Sequence, residues 1–93
     1  MFFAFLLILL AGCASPQQRV IPAIGTRLWM ERIERVVDTR DVAGHGPEVG
    51  SAEWMDTVSR RLGVYDAQGH GPDPGSIEWM RAVHRKAFHI EPE

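Results

Sequence analysis

Apolar side chains recur at helical spacing in three stretches of this chain, and a Gly/Pro-rich loop precedes each stretch. The first stretch carries Trp29, Ile33 and Val36/Val37. The second carries Trp54, Met55, Val58 and Leu62, and the third Trp79, Met80, Val83, Ala87 and Phe88. Each set forms one stripe, and charged residues occupy the opposite face, so the pattern predicts three amphipathic helices of about three turns. Glu31–Arg35 and Asp56–Arg60 stand at i, i+4 in the favourable order. Ser51 and Ser76 are strong N-cap residues and Thr26 an acceptable one, because each hydroxyl can accept a free first-turn N–H. Glu53 and Glu78 follow their caps by two residues, where a negative charge meets the positive end of the helix. Gly63 is expected to end the second helix in a left-handed conformation. The third is expected to fray near His89, ahead of Pro92.

The loops and helices recur together. Gly44-His45-Gly46-Pro47-Glu48-Val49-Gly50-Ser51-Ala52-Glu53-Trp54-Met55 returns 25 positions later as Gly69-His70-Gly71-Pro72-Asp73-Pro74-Gly75-Ser76-Ile77-Glu78-Trp79-Met80. Over 44–62 against 69–87, 11 of 19 positions are identical. A fainter copy lies 25 positions upstream, in Pro22, Gly25, Thr26, Trp29, Met30, Ile33 and Arg35. Trp29, Trp54 and Trp79, Met30, Met55 and Met80, and Gly25, Gly50 and Gly75 all fall on this register, which reads as a structural repeat. The tryptophans are expected to form a small core, because an apolar stripe on a helix faces inward. The alternative is an exposed aromatic surface for a glycan or peptide. The first copy lacks the Gly-His-Gly and the glutamate, as an atypical terminal repeat would, so a milder dependence on Trp29 is expected.

The start of the chain changes the picture of where this module sits. Phe2 to Ala11 is a ten-residue apolar run, too short to span a bilayer as a helix, and it runs into Leu10-Ala11-Gly12-Cys13. This string resembles the lipobox of bacterial lipoproteins. The resemblance implies cleavage before Cys13 and acylation of its thiol. Ala14, rather than Asp, after the cysteine implies the outer membrane in a cell that has two. The n-region has no Lys or Arg, a departure that leaves open a start further upstream. A plain signal peptide or a short anchor is the alternative. Cys13 is the only cysteine, so no intramolecular disulfide can form. The residues divide into a signal peptide (1–12), a lipidated tether (13–19) and a helical domain (20–93) with units near 20–44, 45–69 and 70–93. The ten Lys and Arg and twelve Asp and Glu all lie after Cys13 and nearly cancel. That balance argues against nucleic acid as a partner and against a polybasic membrane surface, which leaves attachment to the lipid.

Chemistry is sparse. His45 and His70 each stand between glycines, with Glu48 or Asp73 three residues on and Glu53 or Glu78 eight residues on. Imidazole with carboxylates suits zinc or a similar divalent ion, so these six are the candidate metal ligands. The plainer reading is a turn whose histidine caps or stacks locally. His84 and His89 lie outside the loop motif and are expected to be solvated. Spacing from Asp41 and Asp66 imitates a calcium loop, but the glutamate falls one position late and His45 or His70 is a poor calcium ligand. Acidic residues at the helix starts disfavour a phosphate. No nucleophile–base–orienter set is visible, and no enzyme is expected. Pro47-Glu48-Val49-Gly50-Ser51 with Trp54 resembles a group of short bacterial lipoproteins of uncharacterised function, which follow the tryptophan with cysteine where this chain has Met55 and Met80.

Taken together, the sequence predicts an all-α protein: three loop–helix tandem repeats of 25 residues after a lipoprotein signal peptide. The expected role is an envelope interaction or structural module held to the membrane by lipid on Cys13. Its partner would be an envelope protein or glycan, or a second copy of itself. The alternatives are a metal-binding lipoprotein using the two Gly-His-Gly-Pro loops and a small immunity or stress-type lipoprotein.

Overall fold

The computed structural model describes residues 20–66 and 68–92. Among them are three helices and no strand: α1 (Arg27–Val37), α2 (Ala52–Leu62) and α3 (Ile77–Phe88). The expected signal peptide (1–12) and the expected tether (13–19), Cys13 included, lie outside the described residues. No helix among the described residues is long and apolar enough to cross a membrane.

Each helix begins by the same local device. A turn closes ahead of it, with the amides of Thr26, Ser51 and Ser76 donating to the carbonyls of Ala23, Glu48 and Asp73. The third turn residue is Gly25, Gly50 or Gly75, at φ 84°, 91° and 88°, the left-handed conformation glycine adopts at least cost. The cap hydroxyl then accepts the N–H of Trp29, Trp54 or Trp79, at 3.2, 3.1 and 3.2 Å. The tryptophan backbone is thereby anchored at the third helical position, and its ring is aimed from the first turn into the core. The ends differ more. Gly63 caps α2 in the left-handed region as expected, but Asp38 and His89 do the same for α1 and α3 at φ 52° and 61°. Arg61 Nη1 donates to the Val37 and Asp38 carbonyls and so satisfies the end of α1 from α2.

The core is Trp29, Ile33, Trp54, Val58, Val64, Trp79, Val83 and Ala87, and every pair of helices is in contact. Trp54 and Trp79 meet edge to face, centroids 6.4 Å apart. On α1 the stripe runs Trp29, Ile33, Val37; Val36 turns off it and is 49% exposed. The expected Glu31–Arg35 pair is replaced by Arg27–Glu31 at 3.7 Å, while Asp56–Arg60 forms at 3.1 Å.

The half-buried methionines show how the helices are ordered in space. The Met30 sulfur lies against Gly50, Met55 against Gly75 and Met80 against Gly25; a Cβ on those glycines would stand 3.4, 3.3 and 2.9 Å from the sulfur. Each helix therefore leans on the turn that starts the next, and the third leans on the turn that starts the first. The arrangement closes on itself, and Trp29 is as fully buried as Trp54.

Candidate functional site

Two sets of side chains remain once the apolar core is assigned: the polar partners of the three indoles, and the Gly-His-Gly loops.

Each indole N–H is buried with its ring and must find an acceptor. Trp54 Nε1 donates to Glu34 Oε1 at 2.8 Å, Trp79 Nε1 to Ser59 Oγ at 2.7 Å and Trp29 Nε1 to His84 Nδ1 at 3.1 Å. Glu34, Ser59 and His84 are spaced 25 residues apart, each immediately after a core residue: Ile33, Val58 or Val83. The three bonds follow the methionine contacts in reverse order, each indole reaching the preceding helix and the first reaching the third.

Each acceptor is held by its own surroundings. Glu34 also takes the Thr39 hydroxyl at 2.8 Å and the Thr39 amide at 3.0 Å, with Arg40 Nε 3.9 Å from the carboxylate. Ser59 donates onward to the Met55 carbonyl at 2.8 Å, so its oxygen is free to accept. His84 is 4% exposed, which corrects the expectation of a solvated side chain; its ring meets Phe88 edge to face at 4.9 Å. Burial pushes its pKa below the ordinary value of 6.5, against an opposing pull from the Glu91 carboxylate. Because Nδ1 accepts, the neutral ring carries its proton on Nε2. A cleft of about 390 Å³ adjoins it, lined by residues 20–24, Ile90 and Glu91. His89 is exposed.

The loops are built from within. Asp41 Oδ1 accepts the amides of Ala43 and His45, both at 2.9 Å, and the Asp41 amide donates to the His45 carbonyl at 2.7 Å. Asp66 repeats this with Gln68 and His70, at 2.9 and 2.7 Å. The aspartates that imitate the first position of a calcium loop are thus turn formers that tie down their own loop. The glycines beside each histidine have different tasks. Gly44 and Gly69 take positive φ. A Cβ on Gly71 would collide with the Val64 carbonyl, and one on Gly46 would be tight, 3.0 Å from Arg40 Cα and 3.1 Å from the Thr39 carbonyl. The histidine between them is left outside: His45 is exposed, and the His70 side chain is 82% exposed, 3.8 Å from Asp66 Oδ2.

Of the candidate ligands, Glu48 and Asp73 use their carbonyls in the turns before α2 and α3, and Glu53 and Glu78 lie in the first helical turns. All four are exposed. Among the described residues no three His, Cys, Asp or Glu side chains come together as a metal site.

Sequence reasoning missed Glu34, Ser59 and the burial of His84. The available signal was a polar residue directly after each of Ile33, Val58 and Val83, at 25-residue spacing. Comparison with known protein families, curated proteins and solved structures finds no match.

Proposed function

We propose that this chain is a small lipid-anchored envelope protein whose helical part is three copies of one 25-residue loop–helix unit, serving as an interaction or structural module. The observation that carries the anchor is Leu10-Ala11-Gly12-Cys13, which closes an uncharged apolar run and contains the chain's only cysteine. Acylation would remove the one thiol that an oxidising compartment would otherwise attack. The cyclic order of the indole bonds and of the methionine contacts supports the three-unit reading, since one interaction rule describes all three junctions.

The same observations direct the module outward through its loops. All three tryptophans are committed to the core. The side chains left to meet a partner are those of the loop tips and the outward helix faces, where charged residues stand beside exposed Leu28, Val36 and Ile77. Expression of the full chain with a fatty-acid probe tests the anchor: labelling should be lost in Cys13→Ser, with unprocessed precursor left behind. Normal labelling of that variant would overturn the lipoprotein reading.

A further inference from the structure

The three indole acceptors answer differently to a proton. Ser59 does not titrate near neutral pH. A carboxyl at position 34 would still offer a carbonyl oxygen after protonation. Imidazole alone loses its acceptor outright, because its only lone pair in the ring plane at Nδ1 is the one a proton takes. We propose that the junction between α1 and α3 is a proton-gated closure, held shut by neutral His84 and opened by its protonation while the other two junctions stay closed.

The geometry supplies the mechanism. Trp29 Nε1 stands 3.1 Å from His84 Nδ1. A proton added there points a second N–H at the first, so attraction becomes repulsion. The cation would sit in a site 4% exposed, where an unpaired charge is costly. Few groups oppose this. From α1 the imidazole meets the uncharged Trp29 indole, and from its own helix the Phe88 ring. Residues 20–24 contribute no titratable side chain to the adjoining cleft, and the C-terminal segment contributes Glu91, whose carboxylate favours the cation.

Because the fold holds the pKa of His84 below its unfolded value, the unfolded chain binds the proton more readily. The stability from this bond is present above about pH 6.5 and is lost as pH falls from there through the folded value. Connectivity selects what opens. The chain joins α1 to α2 and α2 to α3 directly, but the contacts of α1 with α3 are non-covalent. Release of this junction would uncover Trp29 and the apolar wall at Ile21 and Ile24.

The test uses the full chain labelled with 15N at the tryptophan indoles. Between about pH 7.5 and pH 5, the range in which imidazole titrates, the Trp29 indole N–H should shift. Its solvent exchange should rise about tenfold relative to Trp54 and Trp79, the signature of a local opening. His84→Asn, whose amide oxygen can stand near the Nδ1 position, should keep the Trp29 signal across that range, and His84→Ser should do so with the acceptor that position 59 already uses. His45, His70 and His89 are exposed and remain in both variants as internal controls. The proposal is overturned if the three indoles respond together, if Trp29 does not respond, or if His84→Asn responds as the parent does.

Discussion

The indole junctions and the Gly-His-Gly loops carry the same 25-residue spacing and use it in opposite ways. Trp54 and Trp79 each donate to a side chain 20 residues back, and Trp29 to one 55 residues ahead. No indole is satisfied by its own helix. In the loops, Asp41 and Asp66 bind amides two and four residues on. Each loop is satisfied by itself. Similarity along a sequence therefore corresponds to mutual dependence in the core and to independence on the surface. A change in the core is felt by two helices; a change at Asp41 or Asp66 should stop at its own loop.

The largest effect should come from removing an indole. Trp54→Ala should cost about 3–5 kcal/mol, enough to unfold a domain of this size. Because the order of contacts is closed, Trp29→Ala should cost as much; thermal melts of the two variants check this. A clearly milder Trp29→Ala would mean that the α1–α3 junction contributes less than the geometry implies, and the first helix would again look like a cap.

A smaller effect should follow from removing an acceptor. Glu34→Ala leaves the Trp54 indole, the Thr39 hydroxyl and the Thr39 amide without a partner. A buried donor left unmade costs about 1–3 kcal/mol. Denaturant unfolding should show a loss in that range, with Glu34→Gln recovering part of it because its amide oxygen can still accept. If Glu34→Ala unfolds at the parent's midpoint, water has replaced the carboxylate and the junction is not dry.

The smallest effect should come from the loops. Asp41→Ala or Asp66→Ala removes two exposed hydrogen bonds, and global stability should fall by no more than about 1 kcal/mol. Amide exchange should rise at Ala43 and His45, or at Gln68 and His70, while α2 stays protected. Protection lost throughout α2 would break the contrast between loop and core.

How much of this was legible follows the distance over which each interaction acts. The caps at Thr26, Ser51 and Ser76 were readable because hydroxyl and amide are three residues apart. Gly63 was readable because glycine is the default residue for a left-handed C-cap. Asp38 in the same conformation was not: the sequence offers no glycine there, and the conformation is compensated by Arg61 from α2. The Gly-His-Gly loops looked like candidate ligand sets because His and carboxylate lie close in sequence. The turn geometry instead leaves the imidazoles exposed and leaves their neighbouring carboxylates ungrouped.

The sequence by itself determined three of the helices, where each begins and which stripe is apolar; it favoured Trp29, Trp54 and Trp79 as core, and their burial decided it. Those follow from hydrogen bonds a few residues long and from helical periodicity, which any segment carries alone. Only the tertiary structure decided that the third helix closes onto the first, that Met80 rests on Gly25, and that His84 is buried as the acceptor of Trp29. The physical reason is that a buried indole N–H must be satisfied, and no local rule says by which residue. The acceptor is whatever side chain the packing of another helix brings within about 3 Å.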